Sequence, residues 1–249
     1  IRHIALNSEL IIDSSTSEVN IALVENKLLV ELNKEKKENN FSVGDIYLGR
    51  VKKIMPSLNA AFVDIGYEKD AFLHYLDLGS QVQSLIKFMK HTQSGSQAEA
   101  LLNNFEIEPD IHKAGKVNQI LNPNMNIIVQ IAKEPISSKG PRITSEVSFA
   151  GRYVVLVPFS DVVSVSQKIK SSAERLRLKR LATSIKPRNF GIIVRTVAEG
   201  KKVADLDRDV QDLASKWMSL HEQLKTSTPP SRLLGEIDRA STILRDLLS

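Results

Sequence analysis

The chain has 249 residues, a formal net charge of +5 and a sequence pI of about 9.3. Its 42% hydrophobic and 25% charged residues are those of ordinary globular domains, which excludes wholesale disorder, and the absence of cysteine excludes disulfides and cysteine-held zinc within the chain. No apolar run approaches the roughly 20 residues of a membrane helix, and no apolar stretch follows Ile1-Arg2-His3-Ile4 as in a signal peptide. The expected setting is the cytoplasm, and the basic balance mildly favours an anionic partner, nucleic acid first.

Taken in chain order, residues 3–13, 19–24 and 28–32 are strand-like, with Glu25-Asn26-Lys27 as a hairpin turn, so the chain opens on a three-stranded antiparallel meander. Residues 34–40 read as a polar linker. From 43 to 75 the pattern is of short strands with glycines: 44–54, a turn at Pro56-Ser57-Leu58-Asn59, 60–66 and 71–74. Glycines inside such strands mark bends or close backbone approach and suit a small closed barrel. Residues 77–118 lose the strand pattern and read as a mobile insertion with a helix or two. A closing strand follows at 126–131, then a basic loop at 133–144.

The second half reads as α/β. Residues 153–158 form a buried strand, and Ser171-Ser172-Ala173-Glu174 opens a helix that Pro187 ends. Gly191–Thr196 is a strand with a charged tip. Leu206, Val210, Leu213, Trp217, Leu220 and Leu224 recur at steps of four and three and predict a long helix over 203–225. Thr226–Pro230 is a break, and 231–248 a last helix.

No hydrolase, zinc-protease or nucleotide-loop motif is present, and the five histidines have no metal spacing, so each reads as a surface or structural residue. Asp205, Asp207 and Asp209 read as a solvated helix face. Two constellations point to binding instead. Phe62 and Phe72 lie on neighbouring barrel strands near Lys52, Lys53 and Lys69, where aromatic rings stack on bases and lysines track phosphates. Their alternative is a place in the core, and Tyr47 and Tyr67 share that ambiguity. Arg195-Thr196 offers a guanidinium and a hydroxyl at one strand tip, suited to a terminal phosphate; the alternative is an ordinary arginine–carboxylate pair.

These segments carry a resemblance. Gly44–Val51, Pro56–Gly66 and Ala71-Phe72-Leu73 closely resemble the RNA-binding OB fold of the ribonuclease E/G family. The segments 9–12, 19–23, Lys139–Thr144, Ala150–Leu156 and Gly191–Thr196 resemble other parts of that family, its G-type members more than its E-type. The resemblance implies an α+β chain: an OB-fold β-barrel inserted in a ribonuclease H-like subdomain, followed by an α/β 5′-sensor subdomain. The boundaries it implies are 1–42 for the first ribonuclease H-like segment, 43–135 for the barrel with its insertion at 77–118, 136–230 for the sensor, and 231–249 for a truncated second ribonuclease H-like segment. It assigns 5′-monophosphate recognition to Arg195 and Thr196 with Gly151 and Val155 lining the pocket. It assigns RNA contacts to Phe62, Phe72 and Lys139, with Lys52 nearby. Gln167-Lys168 stands where some members have paired arginines, so Lys168 is the basic residue kept there. The partner implied is single-stranded RNA with a 5′-monophosphate, and the family leaves room for homo-oligomers of the full-length protein. The family's magnesium-binding aspartates lie in a deoxyribonuclease I-like domain. The chain does not start with Met and stops within an amphipathic pattern, so it is expected to be a fragment that ends before that domain, with no cofactor of its own and no cleavage activity alone. The rival reading is a stand-alone OB-fold RNA-binding adaptor without nuclease activity.

Overall fold

A computed structural model describes residues 8–14, 18–36, 41–137 and 139–235. These fall into two compact units, divided between residues 40 and 41.

The first unit holds the antiparallel meander β1 (Ser8–Ser14), β2 (Glu18–Glu25) and β3 (Leu28–Lys36). Asn26 and Lys27 join β2 to β3 with φ of 50° and 66°, the left-handed pair of a tight hairpin turn whose twist matches that of the strands. The expected hairpin is there. Strand β3 runs on to Lys36, into the stretch read as a linker, and the strand pattern before Ser8 lies outside the described residues.

The second unit is built on a closed five-stranded barrel. Its strands are β4 (Ile46–Met55), β5 (Ala60–Asp64), β6 (Ala71–His74), β7 (Asn126–Lys133) and β8 (Arg142–Thr144), joined in the order β4-β5-β6-β8-β7 and back to β4. Closure depends on β4, which pairs with β7 through Ile46–Arg50 and with β5 through Arg50–Met55, and is bulged between Val51 and Lys53. The bulge adds the bend that one strand needs to serve two neighbours. Gly49 precedes that bend by two residues, where a Cβ would lie 2.6 Å from Val63 Cγ1. Val51, Ala61, Val63, Ala71, Leu73, Ile127, Val129, Ile131 and Ile143 fill the interior.

A second core lies against the same wall. Ile128 of β7 and Ile46 and Leu48 of β4 belong to it, while their neighbours face the barrel, which explains why Ile127–Ile131 is apolar without strict alternation. It packs α1 (Val82–Gln93), α2 (Ser172–Ile185) and α3 (Val203–Thr226) with the sheet β11-β12-β10-β9, where β9 is Phe149–Ala150, β10 Val154–Pro158, β11 Val163–Val165 and β12 Phe190–Val194. Trp217 is central: its ring lies 4.7 to 6.0 Å from those of Phe88, Phe149, Phe159 and Phe190, and Nε1 donates to Ala100 O at 2.7 Å. The expected start of α2 holds, with Ser171 Oγ accepting from Glu174 N, as does the predicted face of α3.

Two expectations are corrected. Segment 77–118 is no loose insertion: Phe88, Met89, Leu102 and Phe105 are buried in the second core, and Asn189 Nδ2 holds the carbonyls of Leu102 and Phe105 at 2.8 and 2.9 Å. The last helix expected from 231 begins instead as a strand, β13 (Ser231–Leu234), antiparallel to β4. Strand β5 reaches β4 only from Arg50 onward, so the edge at Ile46–Leu48 is open to another strand. Arg232 fixes it there, donating to the buried Asp45 carboxylate at 2.8 Å. Residues 236–249 of that expected helix lie outside the described residues.

Candidate nucleic-acid interface

Strand alternation puts Phe62 and Phe72 on the outer face of the barrel, between the buried neighbours Ala61 and Val63 and Ala71 and Leu73. Neither ring is in the core. They face each other across β5 and β6, edge to face, with centroids 5.8 Å apart. The register extends this pair into a row over four adjacent strands. Lys53 stands opposite Phe62 on β4, and Arg142 opposite Phe72 on β8. Two aromatic rings flanked by two cations match what a single strand offers, a base to stack and phosphates to either side. Lys52 lies beside this row rather than in it: the bulge shifts it out of register, and its Nζ pairs with Asp64 at 3.2 Å. Arg142 grips Asp77 through two nitrogens at 3.0 Å each.

Lys139 is exposed at the tip of the basic loop. Gly140 sets its place, because a side chain there would collide with the carbonyls of Lys69 and Asp70. Phe72 N then donates to Pro141 O at 2.9 Å, which carries the loop along the aromatic strand. Tyr47, unlike the phenylalanines, is a core residue. Its hydroxyl accepts from Phe41 N, and burial, helped by the Asp45 carboxylate, raises its pKa.

The second constellation forms at one end of the α/β sheet. Arg195 follows β12, and its main-chain N–H donates to Tyr153 O at 2.8 Å. Its Nη1 donates to Gly151 O at 2.7 Å, which sets the plane of the guanidinium. Thr196 Oγ1 lies 2.9 Å from Ser166 Oγ, two residues before the exposed Lys168. Lys168 therefore stands with the sheet-end group and not with the barrel row. Val155 pairs with Ile193 two residues before Arg195, on the face of the sheet turned away from the core. Arg195, Thr196, Gly151, Val155 and Lys168 thus lie at the same end of the sheet, with the Gly151 carbonyl accepting from Arg195 Nη1.

Asp209 was not legible as part of this group. Its carboxylate accepts from the main-chain N–H groups of Arg152, Tyr153 and Val154 at 3.1, 2.7 and 2.9 Å. It thereby shapes the turn that presents the Gly151 carbonyl, and any side chain at Gly151 would run into it. The expected solvated face holds for Asp205, which is exposed and closes the first turn of α3 on Lys202 N, and for Asp207, whose bond to Gln211 is exposed; Asp209 departs from it by holding a loop. Ser166 was also missed, since nothing in its local pattern sets it apart from other loop serines.

The fold is thus an OB-type barrel with an outward aromatic pair, joined to an α/β unit with a cationic strand tip. Residues 148–249 match the Ribonuclease E/G family. The chain is 32% identical to ribonuclease G of Escherichia coli K12 over 241 residues, covering 97% of this chain and 45% of that protein. It is 34% identical to ribonuclease G of Haemophilus influenzae over 240 residues, covering 96% and 45%. It is 35% identical to ribonuclease E of a Nostoc species over 206 residues, covering 82% and 26%. The chain belongs to the ribonuclease E/G family, and it spans a little under half the length of these ribonuclease G relatives.

Proposed function

We propose that this chain is the RNA-gripping and 5′-end-sensing part of a ribonuclease E/G-like endoribonuclease that cleaves single-stranded RNA in ribosomal RNA processing or messenger decay. The observation that carries the reading is the gathering of Arg195, the Thr196–Ser166 hydroxyl pair and Lys168 at one sheet end, in a unit that also bears the Lys53–Phe62–Phe72–Arg142 row. A 5′-monophosphate carries more charge and more acceptor oxygens than a phosphodiester. It therefore gains most from an oriented guanidinium, which offers paired N–H donors in a fixed plane. The barrel row adds affinity that is blind to the 5′ end. Each base stacked there contributes about 1–3 kcal/mol.

Hydrolysis in such an enzyme uses magnesium to activate water. Among the described residues no group of three or more His, Asp or Glu can hold a metal ion, so they do not fit that role. No helix among them is long and apolar enough to cross a membrane.

The test is binding of Arg195→Ala to short RNAs with a 5′-monophosphate or a 5′-hydroxyl. The expected outcome is loss of the monophosphate preference with general RNA binding kept. Equal weakening on both RNAs would remove the sensing role and leave an OB-fold binder.

A further inference from the structure

A partly enclosed cavity of about 130 Å³ lies where Leu78–Gln81 and Ser145–Val147 meet the end of β10 away from Arg195. Its walls include Gln81, Asp110, Ser145, Glu146, Val157 and Phe159. Ser145 is 4% exposed, and its Oγ is buried with no hydrogen-bond partner; Gln81 Oε1 is in the same state, while Gln81 Nε2 donates to Asp110 Oδ1. Buried polar atoms are normally paired, so two unpaired ones lining one cavity are open to a partner from whatever fills it.

We propose that this cavity receives one base of the bound RNA and selects a base with an exocyclic amine over uracil. The inference rests on the RNA-binding reading above. Position argues for RNA. Val157 lies on the same sheet face as Val155, and Arg195 is level with Tyr153, so the cavity wall stands four residues, about 13 Å, along β10 from the phosphate site. On its other side Ser145 follows β8, whose Arg142 faces Phe72. A strand running from the sheet end to the aromatic row passes this point. Size limits the occupant to a ring rather than a nucleotide, since 130 Å³ is well below ordinary ligand pockets. Chemistry sets which ring. Gln81 Oε1 and the Asp110 and Glu146 carboxylates are acceptors, and the Ser145 hydroxyl serves either way. Adenine, cytosine and guanine present amine N–H donors to such a set. Uracil presents a single ring N–H flanked by two carbonyl oxygens, which the acceptor-rich wall disfavours, and the carboxylates repel any phosphate from entering. Val157 and Phe159 supply apolar contact.

The experiment compares 5′-phosphorylated decamers with uracil placed singly at the first, second or third nucleotide against decamers with adenine or cytosine there. It uses the chain as it is, together with Ser145→Ala and Gln81→Leu. At one position uracil weakens binding about fivefold in the unaltered chain, the value of one hydrogen bond, and less than about twofold in either variant. Thermal midpoints of both variants are measured as well; Ser145→Ala removes an unpaired buried hydroxyl and keeps its midpoint. Base discrimination that survives both variants, or that is absent at all three positions, overturns the proposal. The ratio of 5′-monophosphate to 5′-hydroxyl binding separates the two readings. A preserved ratio without base discrimination sinks the cavity alone, and base discrimination without the ratio sinks the 5′-sensing reading alone.

Discussion

Replacing Asp209 tests how the proposed phosphate site is held. Its carboxylate receives three main-chain N–H groups at 2.7 to 3.1 Å, from Arg152, Tyr153 and Val154. Hydrogen bonds to a charged group contribute roughly 1.5–3 kcal/mol each, but three on one carboxylate do not add independently. Asp209→Asn keeps one acceptor oxygen and turns an amide NH₂ towards N–H donors. The expected loss is about 2–3 kcal/mol, and about 4 kcal/mol for Asp209→Ala, which leaves all three donors unpaired. The effect on function follows from the next link, because the turn that Asp209 holds presents the Gly151 carbonyl to Arg195 Nη1 at 2.7 Å. Urea denaturation with linear extrapolation gives the stability change. Fluorescence anisotropy with 5′-monophosphate and 5′-hydroxyl RNA, at a temperature where Asp209→Asn is folded, gives the change in discrimination. An Asp209→Asn stability within about 0.5 kcal/mol of the parent would refute the reasoning, since that is the scatter of a surface substitution. So would an undiminished monophosphate preference.

Three further outcomes are expected. Phe62→Ala weakens both RNA types alike by about tenfold, the value of a lost stacking contact, without lowering the thermal midpoint; an unfolded variant would return Phe62 to the core. Arg232→Ala strips the buried Asp45 carboxylate of an ion-pair partner and loosens β13 from β4, lowering stability by about 2–3 kcal/mol in a denaturant titration; a neutral result would mean that this pair holds nothing. The Arg177 guanidinium, with the Gly200 N–H, holds Glu174 down to a pKa of about 2 against an ordinary 4.5. A depressed carboxylate stabilises the fold above its unfolded pKa, so the contribution is whole above pH 4.5 and fades as the pH falls towards 2. The pair is partly exposed and contributes about 1 kcal/mol or less. The gap in thermal midpoint between the parent and Glu174→Gln therefore narrows from pH 6 to pH 3, and a gap that widens would contradict the assignment.

The fold was legible wherever the local pattern was long enough to carry a period. The hairpin at Asn26-Lys27, the capped start of α2 and the apolar face of α3 follow from residues within a few positions of one another. Strands β8, β9, β11 and β13 have two to four residues each, too few for alternation to register, and they exist because distant strands offer them open edges. The candidate site divides in the same way. Arg195-Thr196 stood out as a charged tip on an apolar strand, and Phe62 and Phe72 as aromatics on neighbouring strands. The choice between Lys52 and Lys53 turned on a bulge that spacing does not reveal. Asp209 sat on the polar side of its helix, and its partners are 55 to 57 residues away, so helical periodicity had no means of showing its role.

The most direct test of the central claim is the affinity of this chain for one short single-stranded RNA carrying a 5′-monophosphate or a 5′-hydroxyl, at two salt concentrations. Tighter binding of the monophosphate is expected at both, with both affinities falling as salt rises because phosphate contacts release counterions. Equal affinity for the two RNAs at both salt concentrations would contradict it.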